Sequence, residues 1–394
     1  MSKSGFIALS EPNIGGNAWK YVRECLDTGW VSSAGAFVET FERKLAAYTG
    51  AGHAVAVVNG TAGLQVALRL CGVGPGDEVI VPTLTFIAPV NAVRYLGAEP
   101  VFMDCDDFMN IDPVKTGEFL EKGCRRTARG LVNRKTGRIV KALLPVHIFG
   151  NPCDMEALML LSRRYGLKVV EDATESLGSR WTAGRYKGRH TGVAGDFGVF
   201  SFNGNKILTT GSGGMLVTAN AKMAERARYL TTQAKDDAVH YVHNEVGYNF
   251  RLTNIQAALG LAQLELLPGF LKTKKANYAV YCRELAAVAG LRLMGVPEGT
   301  SPNYWFYSLL IDAKKFGLDR EALMLRLKKA GIQTRPVWNL NHLQKPYLGC
   351  QGYRIEKAPH FVESVLNLPC STGLAKSQVF RVAAAIKAAP GKGS

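Results

Sequence analysis

The stretch Lys168-Val-Val-Glu-Asp-Ala-Thr-Glu-Ser176 runs from a short apolar segment directly into carboxylates and small polar residues. We predict a buried strand over Lys168–Val170 that ends at this change. Similar apolar segments alternate with helical patterns such as Gly63–Leu70 and Met155–Tyr165. The other predicted strands are Ala54–Val58, Glu78–Val81, Pro100–Met103, Ala142–Val146, Gly198–Phe202 and Met215–Thr218. Alternating strands and helices predict an α/β fold with a mostly parallel sheet between layers of helices.

The pattern changes near Thr253, after which a long helical segment and a second group of elements follow. We predict a large domain over residues 1–265, with an N-terminal arm, and a smaller α+β domain over residues 266–394. The predicted elements of the smaller domain are a strand at Tyr307–Ile311 and helices near Arg320–Ala330 and Gln378–Ala388. The last residues, 390–394, predict a frayed end.

Composition excludes several classes of protein. No apolar run is long enough to span a bilayer, and the first residues lack the apolar segment of a signal peptide, so we expect a soluble cytoplasmic protein without a membrane partner. The 8 cysteines form no Cys-x-x-Cys pair and have no accompanying His cluster. We therefore expect free thiols and no metal site.

The net charge of +16 is compatible with nucleic acid or with a polyanionic small molecule such as a nucleotide diphosphate. The densest basic stretch, Lys122–Lys141, contains the turn signal Asn133–Gly137. It has no interleaved aromatic residues that could stack on bases. We interpret it as an exposed hairpin and expect no nucleic-acid partner.

Residues that follow the predicted strands are the first place to look for a site, because ligands gather at the carboxyl ends of parallel strands. After the first strand, Asn59-Gly-Thr-Ala-Gly63 opens a helix. Exposed N–H groups, the helix dipole and the Thr61 hydroxyl would attract a phosphate there. It is not a P-loop, because no Gly-Lys-Ser/Thr follows. An ordinary helix cap by Thr61 is the alternative.

Asp172 comes at the end of an apolar strand, where a buried carboxylate is costly unless it has a partner. The protonated ring nitrogen of pyridoxal phosphate (PLP) would be such a partner, and an ionised Asp172 would keep that nitrogen charged. A helix cap is again the alternative.

Lys206 ends the stretch Phe200-Ser-Phe-Asn-Gly-Asn-Lys206 and is followed by the glycine-rich Gly211–Gly214. A Lys directly after an apolar strand suits a Schiff-base amine, whose pKa must fall for nucleophilic work. Ser201 could donate to the cofactor phosphate. A lone Lys in a loop is usually only a solvated charge, but the spacing from Asp172 favours the functional interpretation.

These motifs resemble the DegT/DnrJ/EryC1/StrS sugar aminotransferases, which are PLP enzymes of fold type I, like aspartate aminotransferase. The resemblance covers nearly the whole chain. The matching segments are Asn59–Gly63, Pro82–Ala88, Val146–Gly150, Glu171–Glu175, Ser201–Lys206 and Gly247–Arg251. The resemblance implies an α/β large domain, a smaller C-terminal domain and PLP as the cofactor.

The resemblance also implies roles for single residues. Lys206 would bind PLP covalently, Asp172 would pair with the pyridine nitrogen, and Phe86 would stack on the ring. The other implied cofactor-binding residues are Gly60, Thr61, Ala62, Ser201 and Asn203. Asn249 would reach the neighbouring subunit's phosphate site, which implies an obligate homodimer with shared active sites.

Glu175 stands where the family more often has a His or Gln facing the phenolic oxygen of PLP. A carboxylate beside a phenolate would repel it unless one proton is shared. We expect Glu175 to be protonated or to bridge through that proton.

Within the family, the segments resemble the bacillosamine and legionaminic acid branch. This branch transfers an amino group from L-glutamate to C4 of a nucleotide-linked 4-keto-6-deoxy-N-acetylhexosamine, usually on UDP and in some pathways on GDP. We expect Gln333–Trp338 and Asn341–Gln344 near the nucleotide sugar, with core packing as the alternative for Trp338.

Two other functions remain as alternatives. In sugar dehydratases of the same family a His replaces the Lys, so Lys206 favours amino transfer. A non-catalytic nucleotide-sugar-binding protein on the same fold would not need Lys206, Asp172 and Ser201 together.

Overall fold

Two separate sheets organise the computed structural model, which describes residues 5–237 and 239–390. The helices are α1 (Ala18–Thr28), α2 (Ala36–Thr49), α3 (Gly60–Leu70), α4 (Ile87–Arg94), α5 (Pro113–Glu118), α6 (Met155–Tyr165), α7 (Ala221–Thr231), α8 (Asn254–Leu285), α9 (Ala313–Phe316), α10 (Arg320–Lys329), α11 (Ala358–Ser364) and α12 (Lys376–Lys387). The strands are β1 (His53–Val57), β2 (Glu78–Pro82), β3 (Glu99–Met103), β4 (Cys124–Thr127), β5 (Gly130–Asn133), β6 (Val140–Leu143), β7 (Lys168–Asp172), β8 (Arg180–Trp181), β9 (Phe197–Ser201), β10 (Gly214–Thr218), β11 (Leu291–Leu293), β12 (Thr300–Ser301), β13 (Tyr307–Ile311), β14 (Arg335–Pro336), β15 (Gly352–Tyr353) and β16 (Val365–Leu368). Residues 391–394 of the predicted frayed end lie outside the described residues.

The main sheet has eight strands in the order β1-β10-β9-β7-β6-β2-β3-β15. The strands from β9 to β15 in this order run parallel, whereas β10 is antiparallel to both of its neighbours. The prediction of an α/β fold with a mostly parallel sheet is therefore confirmed. Each strand predicted for this sheet is present, with bounds that differ by up to three residues.

Helices cover both faces of the main sheet, as the run of buried residues in β7 illustrates. Val169 packs in a cluster with residues of α6, and Val170 packs in another cluster with residues of α3, α4 and α7. Successive side chains of a strand point to opposite faces, so a strand buried on both faces must be apolar at consecutive positions.

None of the helices in residues 5–237 and 239–390 is long and apolar enough to cross a membrane.

The second sheet contains four antiparallel strands in the order β11-β13-β16-β14. Its core includes residues of α10, α12 and the C-terminal part of α8, together with Ile7 from the start of the chain. The predicted domain boundary after residue 265 falls inside the continuous helix α8. The division at this residue stays a prediction, and α8 links the two cores.

Candidate active site

A cavity of about 830 Å³ opens where the parallel strands of the main sheet end. It is lined by eight of the ten predicted site residues, namely Gly60, Thr61, Phe86, Asp172, Glu175, Ser201, Asn203 and Lys206. Two predicted residues do not line it: Ala62 is buried in α3, and Asn249 is exposed elsewhere on the chain. Of the two segments expected near the nucleotide sugar, Arg335–Trp338 lines the cavity, whereas Asn341–Gln344 does not.

The turn that begins α3 lies at one side of the cavity. Asn59, not Thr61, caps this helix, because its Oδ1 accepts the N–H of Ala62 at 2.8 Å. The helix offers no acceptor to the N–H groups of Gly60 and Thr61, which belong to its first turn. A Cβ on Gly60 would lie 2.9 Å from Thr174 Cγ2 and 3.1 Å from Ser201 Cβ. Glycine therefore brings this N-terminal turn close to Ser201, as a shared phosphate site would require.

Asp172 is the last residue of β7 and is only 2% exposed. Its Oδ1 accepts the N–H of Thr174 at 3.0 Å, and no helix begins there, so the alternative of a helix cap is wrong. Burial raises the pKa of Asp172, against the opposing effects of Thr174, Lys206 and His147. A cationic ligand group beside this carboxyl would favour its ionised form.

The Lys206 amine lies next to a carboxylate and an aromatic ring. Its Nζ is 3.7 Å from Glu175 Oε1 and 3.9 Å from the centre of the Trp305 ring. Burial lowers the pKa of Lys206, while the nearby Glu175 and Asp172 carboxylates oppose this effect. An amine with a lowered pKa is more often neutral near neutral pH, as a nucleophile or base must be.

Glu175 is 4% exposed and is fixed by backbone and side-chain contacts. Its Oε2 accepts the N–H of Phe149 at 2.8 Å, and its carbonyl accepts from Asn303 Nδ2 at 2.8 Å. Burial raises the pKa of Glu175, although Lys206 and the Phe149 N–H favour the charged form. This direction agrees with the expectation of a shared or retained proton, which stays a prediction.

An unusual turn directs the Phe149 N–H towards Glu175. Phe149 has φ 54°, a left-handed conformation that is rare for a bulky residue. Gly150 follows at φ 89°, and a Cβ there would lie 1.9 Å from Asn303 Oδ1. Strained backbone of this kind tends to persist at functional sites. The turn belongs to the matching segment Val146–Gly150, but its role was not predicted.

Aromatic rings form much of the remaining lining. Phe86, predicted to stack on the cofactor, is 51% exposed at the cavity, with its ring centre 6.1 Å from that of Trp338. Trp338 also packs on Phe149, with 4.8 Å between ring centres. The sequence left two interpretations of Trp338, a place near the substrate or packing in the core. Trp338 packs against other side chains and also lines the cavity.

Sequence reasoning missed several lining residues, namely Thr85, Trp305, Phe306, Arg320 and Asn367. All except Thr85 come from segments near the second sheet, and no local motif marks them. Thr85 precedes Phe86 in a recognised segment. Its Oγ1 is buried and has no hydrogen-bond partner among the described residues, a rare situation that favours a partner on a bound ligand.

The residues present fit PLP. A first-turn N-terminus next to Ser201 suits a phosphate, and an exposed Phe86 suits one face of a flat ring. Asp172 suits a protonated ring nitrogen, and Lys206 suits an aldehyde carbon. All of them line one cavity, and the unpartnered Thr85 hydroxyl lies in its wall.

Comparisons with known proteins agree with this chemistry. The model of the DegT/DnrJ/EryC1/StrS aminotransferase family matches residues 12–387. A GDP-perosamine synthase of Caulobacter vibrioides is 38% identical over 98% of this chain and 99% of its own length. A GDP-perosamine synthase of Escherichia coli O157:H7 is 36% identical over 97% of this chain and 98% of its own length.

Solved structures share the fold. The aminotransferase TlmJ from Streptoalloteichus hindustanus superposes with a TM-score of 0.87 at 31% identity, covering 98% of this chain and 99% of its own. Spr1654 from Streptococcus pneumoniae, solved in its PLP form, gives a TM-score of 0.85 at 26% identity and covers 98% of each chain. The predicted enzyme class, cofactor and fold type are thus confirmed. The chain belongs to the DegT/DnrJ/EryC1/StrS aminotransferase family and is a PLP-dependent sugar aminotransferase.

Proposed function

We propose that this enzyme transfers the amino group of L-glutamate to C4 of a nucleotide-linked 4-keto-6-deoxy sugar. The observation that carries the proposal is the position of Lys206, Asp172 and Glu175 around one cavity, with Gly60, Thr61 and Ser201 at its side. The names of the similar proteins support a nucleotide sugar as the amino acceptor.

In this proposal each residue around PLP has one task. Gly60, Thr61 and Ser201 hold the phosphate, Phe86 packs on the ring, and Asp172 keeps the ring nitrogen protonated. When bound, PLP supplies a carbon that takes up an amino group and a ring that withdraws electrons from the neighbouring carbon. Asn203 lines the same cavity and completes the polar surroundings.

Lys206 moves the protons of the reaction. Its neutral amine accepts the proton from the α-carbon of L-glutamate, and in the second half of the reaction its protonated form delivers a proton to C4 of the sugar. The products are 2-oxoglutarate and a 4-amino sugar nucleotide, so the amino group and its protons balance between donor and acceptor. The lowered pKa of Lys206 favours the base form, and the Trp305 ring limits where the amine can move.

The nucleotide is the finer point of the proposal. The sequence resemblance pointed to UDP and an N-acetylated sugar of the bacillosamine or legionaminic acid type. Three of the similar proteins are instead named for a GDP-linked sugar, so we propose GDP as the carrier. UDP with an N-acetylhexosamine remains the alternative that the same experiment tests.

The test is to incubate the PLP-loaded protein with L-glutamate and a panel of GDP- and UDP-linked 4-keto-6-deoxy sugars, with and without an N-acetyl group. We expect 2-oxoglutarate and an aminated GDP-sugar by mass spectrometry. Amination of only the UDP-N-acetyl substrates would reject GDP. Loss of water from the sugar without amination would support a dehydratase, and binding without turnover would support a non-catalytic protein.

We further propose a homodimer with shared active sites. Asn249 is exposed and lies outside the cavity of its own chain, as expected for a residue that serves a neighbour. Large apolar side chains such as Trp19 and Trp30 are 75% and 59% exposed and could be covered by a second copy. Mixing inactive Lys206→Ala and Asn249→Ala subunits should restore part of the activity, because one site of the mixed dimer would be intact. No recovery after confirmed subunit exchange would argue against shared sites.

A further inference from the structure

The cavity wall on the side of the second sheet carries hydrogen-bond donors whose task the transfer chemistry does not explain. Arg335 lies in β14, Arg320 begins α10, and Asn367 lies in β16, and all three line the cavity. Arg335 and Asn367 are paired across the second sheet. We call these three residues the second-sheet donors.

The second-sheet donors lack strong partners within the part of the chain that the structure describes. The Arg335 side chain is exposed and makes no hydrogen bond or ion pair there, and the Arg320 side chain has only a 3.6 Å contact with Glu321. Asn367 is 2% exposed, and its Oδ1 accepts from Ser308 Oγ at 2.7 Å, which leaves its amide N–H groups without an acceptor. An amide with unused donors and two guanidinium groups in the wall of one cavity fit a ligand rich in acceptor oxygens.

The charges of the cavity support an anion at this place. Its carboxylates, Asp172 and Glu175, are both buried near Lys206. Arg335 and Arg320 therefore add positive charge to a cavity whose lining, among the described residues, holds no carboxylates other than these two. Guanidinium groups bind phosphate through paired hydrogen bonds, which makes arginine well suited to a diphosphate.

We propose that Arg335, Arg320 and Asn367 bind the diphosphate of the nucleotide sugar, an inference that rests on the proposed function. In a pyranose, C1 and C4 lie on opposite sides of the ring, and the diphosphate is attached to C1. When C4 lies at Lys206, the diphosphate must lie away from the buried end of the cavity. The α-carboxylate of L-glutamate, in contrast, is bonded to the reacting carbon and stays near Lys206.

The test compares Arg335→Gln with Arg129→Gln, which removes one positive charge from an exposed hairpin outside the cavity. Binding of GDP, UDP and guanosine to the PLP-loaded proteins is measured by calorimetry. We expect Arg335→Gln to weaken GDP or UDP binding about tenfold to a hundredfold, with guanosine and the Arg129→Gln control unchanged. Equal GDP affinity in Arg335→Gln and wild type would overturn the proposal.

A second measurement distinguishes a site for the diphosphate from a site for the carboxylates of L-glutamate. It also shows whether the variant is still folded. The KM of L-glutamate should be the same in Arg335→Gln and wild type; a raised KM with unchanged GDP binding would assign the site to glutamate instead. Arg335→Lys keeps the charge without the paired donors and should recover part of the affinity. GDP binding is independent of turnover, so a wild-type protein that binds GDP but aminates no sugar would reject the proposed function and leave the diphosphate site standing.

Discussion

The two sheets contribute different kinds of side chain to one cavity. The main-sheet floor, which we define as Gly60, Thr61, Asp172, Glu175, Ser201 and Lys206, is buried or half-buried and holds groups that can form bonds or move protons. The second-sheet wall, which we define as Trp305, Phe306, Arg320, Arg335, Trp338 and Asn367, offers rings and hydrogen-bond donors. The floor suits steps common to all amino transfers, whereas the wall suits the choice of substrate.

This contrast leads us to expect that variants in the floor and variants in the wall change different kinetic constants. A change in the floor should lower kcat, because it removes interactions made in the transition state. A change in the wall should raise the KM of one substrate and leave kcat nearly intact. The following predictions test this separation.

The largest effect is expected for Lys206→Ala. Without the amine no group on the floor can exchange the proton at the α-carbon, so turnover should fall by at least about 10³-fold. The visible absorbance of covalently bound PLP should disappear while the circular dichroism spectrum is kept. Lys187→Ala, at an exposed site outside the cavity, is the control and should behave as wild type. Wild-type turnover in Lys206→Ala would remove the basis of the proposed mechanism.

Asp172→Asn should lower kcat by about 10²-fold to 10³-fold. The amide oxygen can still accept the Thr174 N–H, so the local turn should remain, but the neutral side chain cannot balance a protonated ring nitrogen. Steady-state kinetics should show little change in the KM of the nucleotide sugar. A variant that raised this KM with unchanged kcat would contradict the division between floor and wall.

The floor was predictable because its residues follow strands directly in the sequence. Asp172 ends β7, Ser201 ends β9, and Lys206 lies five residues further on. Parallel strands end at one edge of a sheet, so local segments distant in sequence converge there. Local capping was harder to assign: Asn59 rather than Thr61 caps α3, because the helix begins at Gly60.

The wall was mostly not predictable, because packing between distant segments sets its position. Trp305 is held beside Lys206 partly by Lys274 of α8. The buried Nζ of Lys274 donates to the carbonyls of Trp305 and Cys370 at 3.1 and 2.6 Å. The Trp305 Nε1–H donates to the carbonyl of Asn205 at 2.8 Å. Nothing in the sequence around Trp305 marks these contacts, since Lys274 and Asn205 lie 31 and 100 residues away.

A smaller effect is expected at Gly60, where the close packing of the floor depends on a residue without a side chain. Gly60→Ala would place a Cβ 2.9 Å from Thr174 Cγ2, so the turn or Thr174 must move, at a cost of about 1–3 kcal/mol. PLP affinity, measured by equilibrium dialysis, should fall about tenfold or more. Gly204→Ala lies in the neighbouring loop, where a Cβ meets nothing within 4 Å, and is the matched control. Equal losses of affinity in both variants would mean that the close approach to Ser201 is unimportant.

The smallest effect concerns the pH dependence of stability in the cofactor-free protein. Burial raises the pKa of Glu175 to about 7, above its usual value of 4.5. The folded state therefore holds this proton where the unfolded state has lost it, and the stability that it contributes is lost as pH rises from 4.5 to 7. Glu175→Gln removes this dependence. The free energy of unfolding of the variant, relative to that of wild type, should therefore rise by on the order of 1 kcal/mol between pH 4.5 and pH 7. Denaturant unfolding at several pH values, with the exposed Glu298→Gln as control, measures the difference. Parallel profiles for wild type and Glu175→Gln would mean that Glu175 of the cofactor-free protein holds no extra proton in the folded state.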